Sequence, residues 1–169
     1  LAFDVQRDLA VLRAKNRTSP APVLEFRPAA EAMAQGERIY SLGNPLDIGF
    51  AVTEGTYNGL VRRSFYPRIF FGGALNLGMS GGPAVDDAGR VLGVNVAKRL
   101  DGEQVSFLIP AEFAQALVQR AAHAQPITQP AYDEVTRQLL VHQNLLTERF
   151  LQTPFQEQRH GRYLVPVPN

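Results

Sequence analysis

Cysteine is absent from the 169-residue chain. Its absence excludes a disulfide framework and thiolate catalysis. It also removes the ligands of most structural zinc sites, and three histidines are few to replace them. No apolar run approaches the ~18 residues that would span a bilayer as a helix. Neither sign of charge is in excess, with 17 Lys+Arg against 16 Asp+Glu and a net charge of +1. Composition therefore gives no bias toward nucleic acid or an anionic membrane. The opening Leu1-Ala2-Phe3-Asp4 has no Met and lacks the basic and apolar regions of a signal peptide. The chain is therefore read as an internal fragment, a processed chain or a truncated one. What is present is globular in character, 45% hydrophobic and 20% charged. A chain of this size buries roughly 70% of its unfolded surface.

Punctuation by Gly and Pro divides the chain. Asp8-Leu9-Ala10-Val11-Leu12 is a short apolar, strand-like run with an acid at its start. Residues 18–37, with Pro20, Pro22, Pro28 and Gly36, read as a linker with a helical turn near 29–33. From residue 38 to 110 the pattern is that of strands, six in number, at 38–43, 52–63, 68–71, 83–86, 90–98 and 105–109. Turn formers separate them, among them Gly72-Gly73, Asp87-Ala88-Gly89 and Asp101-Gly102. Short strands without helical crossovers predict an antiparallel barrel. From residue 111 the period becomes helical, with Phe113, Leu117 and Ala121 on one face and Pro126 and Pro130 closing the helix. A second helix is expected from Tyr132 to about Phe150, on the stripe Tyr132, Val135, Leu139, His142, Leu146 and Phe150. The remaining residues, with Pro154, Pro166 and Pro168, are expected to form an irregular tail.

The chemistry concentrates at Gly78-Met79-Ser80-Gly81-Gly82-Pro83. Glycines let the backbone turn sharply and let a substrate carbonyl come close to the amides. A nucleophilic serine needs that setting, because its own amide and a neighbour's must point at the developing oxyanion. Two other readings stand beside it. One is a plain Gly-rich turn. The other is the elbow of an α/β-hydrolase, but that requires a helix after the serine, and Pro83-Ala84-Val85-Asp86 leads into a hairpin instead.

These six residues resemble the serine motif of the trypsin-fold (chymotrypsin-like) serine proteases. Further segments resemble the bacterial HtrA/Deg branch. The run around Asp8-Leu9-Ala10-Val11-Leu12 is similar to the segment carrying that family's catalytic aspartate. Residues 36–45 with Val52-Thr53-Glu54-Gly55 resemble the opening hairpin of its second barrel. Ala74-Leu75-Asn76, Gly93-Val94-Asn95 and residues 105–110 follow in the family's order.

The resemblance implies an all-β fold: the second six-stranded antiparallel barrel of a trypsin-like two-barrel fold, plus a C-terminal helical extension. Residues 1–17 would end the first barrel, 18–37 link the barrels, 38–110 form the second, 111–125 the C-terminal helix, and 126–169 the extension and tail. It implies a serine endopeptidase working through an acyl-enzyme on Ser80, with Asp8 orienting a histidine. The amides of Gly78 and Ser80 would form the oxyanion hole. Asn95 and Val96 would lie along an extended substrate, as in strand addition. Ala74, Ser106, Phe107 and Leu108 would face the primary specificity pocket, where no acid stands. Met79 occupies a position where the family has Asn or Asp, but only the neighbouring backbone builds the oxyanion hole.

In the family the histidine precedes the aspartate. His123, His142 and His160 all follow Ser80, so the base is expected from a segment upstream of this chain. The resemblance implies no metal and no cofactor. Its partners would be a polypeptide substrate and the missing N-terminal barrel, as part of one parent chain or as a separate fragment. Neither a nucleic acid nor a membrane span is expected, a homo-oligomer is allowed, and the family points to a periplasmic or envelope location. The rival reading is a pseudoprotease or peptide-binding module without turnover.

Overall fold

The computed structural model describes residues 1–16, 19, 22–61, 66–98 and 105–168. The expected turn at Asp101-Gly102 and the Arg62-Arg63 pair lie outside these. The chain forms two compact units, residues 1–128 and 129–169.

Six strands of the first unit close into an antiparallel barrel: β3 (Arg38–Gly43), β4 (Ala51–Leu60), β5 (Ile69–Phe71), β6 (Pro83–Val85), β7 (Val91–Lys98) and β8 (Ser106–Pro110). Their order around the barrel is β3-β4-β5-β8-β7-β6. Alternation decides which side chains fill it. Ile39 and Ser41 of β3, Ile69 and Phe71 of β5, and Ser106 and Leu108 of β8 turn inward and are buried. Ile39, Ile69, Phe71 and Leu108 meet Leu75, Met79, Ala84 and Leu92 in one apolar cluster. The strands fall where the alternation placed them, within one residue at each end except that β4 stops at Leu60, three residues short of the expected end.

Two further strands, β1 (Ala2–Asp4) and β2 (Leu9–Val11), form a separate antiparallel hairpin with Asp4 opposite Leu9. The helix α1 (Ala111–Ala121) starts directly after β8 and packs against β1, β2 and β7. It buries Ala111, Leu117 and Ala121, with Phe113 half-buried. Glu112 in its first turn and Arg120 in its last both suit the helix dipole.

The linker is more ordered than its composition implied. Residues 25–27 lie parallel to the start of β7. The Arg27 amide donates to the Val91 carbonyl at 2.9 Å, and the Val91 amide to the Glu25 carbonyl at 2.8 Å. Only a turn stands at 28–31, closed by the Glu31 amide on the Pro28 carbonyl, where a helical turn was expected. Arg27 fixes the strap, pairing with Glu37 and lying 3.7 Å from Asp86.

Asp86 also shapes the β6–β7 hairpin. Its carboxylate accepts from the amides of Ala88 and Arg90 and pairs with the Arg90 guanidinium at 2.9 Å. Burial alone would raise its pKa, but the bonds from Arg90 and Ala88 outweigh burial and hold it below the ordinary carboxylate value. Glu37 is likewise lowered, first by its hydrogen bond from Arg27. A carboxylate lowered in the fold contributes stability above its unfolded pKa, and that stability is lost as pH falls through the folded pKa. Urea midpoints are therefore expected to fall as pH drops from 6 to below about 4, where free carboxyls protonate. Asp86→Asn, less stable at pH 6, should lose less over the same interval. An equal loss in both proteins would remove Asp86 from the acid response.

The second unit holds α2 (Tyr132–Gln152) and a hairpin of β9 (Phe155–His160) and β10 (Tyr163–Pro168). The hairpin corrects the expected irregular tail. Tyr163 lies opposite His160 around a tight turn with Gly161 at φ 62°. Prolines 166 and 168 are accommodated because β10 pairs on one side alone, leaving an edge where a missing N–H does no harm. Among its described residues none is buried.

Candidate active site

Ser80 sits on the loop between β5 and β6, and Met79 anchors that loop. Met79 is 1% exposed and packs in the barrel cluster. The side chain that departs from the familiar motif is thus an apolar root, leaving Gly78 and Ser80 exposed on either side of it. The Met79 amide donates to the Asn76 carbonyl at 3.1 Å. No acceptor among the described residues takes the amides of Gly78 or Ser80.

Two glycines are required by geometry. Gly78 has φ 93°, a conformation L side chains rarely adopt, and a Cβ there would strike the Asn44 carbonyl oxygen. A Cβ on Gly82 would strike the Leu42 carbonyl oxygen. The Ser80 loop is thus laid directly on the backbone at the end of β3.

Asn95 holds the other side of the loop. It is 1% exposed. Its Nδ2 donates to the carbonyls of Leu42 and Met79, each at 3.1 Å, and its Oδ1 accepts from the Ser41 hydroxyl at 2.9 Å. Its backbone is occupied as well: the Gly81 amide donates to its carbonyl at 2.8 Å, and its amide donates to the Gly82 carbonyl at 2.9 Å. The register shifts between Asn95 and Ala97, leaving Val96 as the extra residue of a bulge. The Ser80 hydroxyl donates to the Val96 carbonyl at 3.3 Å.

Asp8 and Ser80 open on the same cavity, of about 270 Å³, whose walls include Val11, Val96, Leu117 and Val118. Asp8 is exposed at the end of the β1–β2 turn, with φ 55°. Asp is among the few residues that tolerate this left-handed conformation. The preceding Arg7 fixes the turn, a role the sequence analysis missed. Its amide donates to Asp4 Oδ1 at 3.1 Å and its guanidinium pairs with Asp4 at 2.8 Å. The guanidinium also lies 4.3 Å from the centre of the Phe113 ring on α1. The signal was the Asp4-x-x-Arg7 spacing, which closes a turn ahead of the apolar strand.

The expected specificity residues divide. Val96 lines the Ser80 cavity. Ala74 is exposed and Phe107 half-buried, but neither lines that cavity. Asn95 lines that cavity as Val96 does, while its side chain, like those of Ser106 and Leu108, is buried. Leu108 fills the barrel core, and the Ser106 hydroxyl accepts from the Leu75 amide at 3.1 Å, fixing the start of the Ser80 loop. His123, the one histidine within residues 1–128, does not line the cavity.

The trypsin-like peptidase domain matches residues 1–94. Protease Do-like 1, chloroplastic, of Arabidopsis thaliana is 29% identical over 144 residues, covering 77% of this chain and 32% of that protein. The serine endoprotease of Yersinia pestis superposes with a TM-score of 0.60 at 26% identity, over 69% of this chain and 41% of its own. The HtrA-type protease AlgW, in a structure with a decapeptide, gives 0.57 at 27% identity, over 68% and 36%. The chain thus spans about a third of the curated relative's length.

Proposed function

From the premise that this chain belongs to the trypsin-like peptidases, with HtrA-type serine proteases as its relatives, we propose that it carries the nucleophile and the acid of a serine endopeptidase. The observation that carries this reading is the single cavity shared by Asp8 and Ser80. Residues 1–17 end a first barrel, and the histidine that completes the site comes from a segment upstream of this chain.

The chemistry follows from the groups in place. A substrate strand pairs along β7 from Val96 and brings its scissile carbonyl over Ser80. Rotation about the Ser80 Cα–Cβ bond releases the hydroxyl from Val96 toward the histidine. The histidine takes the proton as Ser80 Oγ attacks, and the amides of Gly78 and Ser80 receive the oxyanion. The protonated histidine then gives its proton to the leaving amine, and water hydrolyses the acyl-enzyme by the same steps. Asp8 holds the histidine's tautomer and stabilises its charged form.

A fluorophosphonate followed by denaturing intact-mass measurement tests this. The parent protein with its upstream segment should gain one adduct, at Ser80, which Ser80→Ala removes. The 169-residue chain alone should gain none. A folded parent that binds peptides along β7 but takes no adduct would overturn turnover and leave the binding module without catalysis.

A further inference from the structure

The hairpin of the second unit has two outer edges, and its prolines leave one of them open. Pro166 lies opposite Glu157, and Pro168 opposite Phe155. A proline has no N–H to give a ladder, so within a paired strand its nitrogen points away from the partner. Opposite residues of an antiparallel pair direct their backbone groups alike, both toward each other or both away. The outward groups of β10 are therefore those of Leu164, Pro166 and Pro168, and those of β9 belong to Phe155, Glu157 and Arg159. The outer edge of β10 has a donor at Leu164 alone. That of β9 keeps all of its donors and acceptors. Among the described residues only β10 lies beside β9, and every residue of β9 is exposed.

A two-stranded hairpin is marginal in water, and independent stability needs three strands or more. A free edge is a template for a further extended chain. The charges on β9 identify the chain that fits. In an antiparallel addition, outward-facing residues meet outward-facing residues, so the permitted registers lie two residues apart. When a second copy of β9 is centred on Gln158, Glu157 stands opposite Arg159 of the second copy, and Arg159 opposite its Glu157. Opposite charges facing each other across a ladder are favourable, and like charges are not. Centring the pair on Glu157 sets that acid against its own counterpart. Centring it on Arg159 does the same to the cation. One register brings both signs together twice over, which is the self-complementarity a two-fold contact requires.

We propose that the outer edge of β9 is a self-association surface whose occupant is a second copy of this chain. Two hairpins pair antiparallel about Gln158 into a four-stranded sheet, β10-β9 of one copy followed by β9-β10 of the other. Growth stops there, because both edges of that sheet are then the proline-bearing β10 strands. The product is a closed dimer, and it does not depend on the chemistry at Ser80.

Sedimentation velocity on the 169-residue protein over a wide range of concentration tests this. A monomer–dimer equilibrium is expected, weaker at high salt because the facing charges are exposed. Glu157→Arg leaves the edge with cations alone, and Arg159→Glu with acids alone. Each variant by itself should associate about tenfold more weakly, because both facing pairs turn from attraction to repulsion. Mixed in equal amounts, the two variants should recover the affinity of the unaltered chain as a heterodimer. The double variant Glu157→Arg, Arg159→Glu should pair with itself again. Both side chains are exposed, and a far-UV spectrum checks that each variant keeps its fold. A protein that stays monomeric at every concentration would overturn the proposal. So would association that both single variants leave unchanged, or that mixing them fails to restore. Growth beyond two copies would overturn the closed sheet.

Discussion

Replacing Asp8 by Asn slows fluorophosphonate acylation of Ser80 in the parent protein on the order of 10⁴-fold, the scale seen when a triad carboxylate becomes an amide. The substitution isolates charge and tautomer control from folding. Asp8 stands at φ 55° and is exposed, and Asn is as much at home there as Asp. The turn itself is held by the pair of Asp4 with Arg7 and by the Arg7 guanidinium over Phe113, none of which the substitution touches. Urea unfolding should therefore be nearly unchanged while the labelling rate collapses. The opposite pattern, lost stability with an unchanged rate, would make Asp8 a turn residue and no part of the catalytic apparatus.

Asn95→Ala acts through the fold, with an expected loss of about 3–4 kcal/mol. Three hydrogen bonds disappear from a side chain that is 1% exposed. They strand the Leu42 carbonyl and the Ser41 hydroxyl, each such buried group costing about 1–3 kcal/mol, and leave the Met79 carbonyl with only its bond from the Gly82 amide at 3.0 Å. Relaxation of the loop toward water offsets part of that sum. The Met79 carbonyl precedes the Ser80 amide in the chain, so the oxyanion amides lose their alignment with it. A reduced urea midpoint and slower labelling of Ser80 are expected together. A loss below about 1 kcal/mol would show that water substitutes for the amide.

The contrast between these two residues shows what the sequence could convey. Asp8 could be singled out because an acid before a four-residue apolar run is a local pattern that resembles a family segment, and so could Ser80 among its glycines. The barrel was legible for the same reason: β3, β5 and β8 alternate, and turn formers stand between the strands. The inward hydrogen bonds of Asn95 were not legible, because residue type does not reveal which way a strand residue points once a bulge at Val96 shifts the register. The strap at 25–27 has no alternation to betray it. Its partners Val91, Glu37 and Asp86 stand at distances along the chain that no short-range pattern registers. The β9–β10 hairpin was hidden by its prolines, which argue against a strand wherever both sides must pair. The role of Met79 was invisible for a related reason, since a motif specifies the backbone and says little about which side chain roots it.

The absence of fully buried side chains among residues 129–167 has a thermodynamic consequence. Apolar surface newly wetted on unfolding is what raises the heat capacity of a denatured chain. The helix and hairpin of the second unit, whose described residues are at most half-buried, release less of it, so the curvature of the protein's stability with temperature belongs mainly to the barrel, its strap and α1. Melting of α2 draws mostly on local hydrogen bonds, with the edge-on contact of Phe150 and Phe155 at 5.3 Å beside them, and is gradual, as in a nearly isolated helix. Cold and heat act on one chain in two ways: the barrel unit passes through a stability maximum, and the second unit frays steadily as temperature rises.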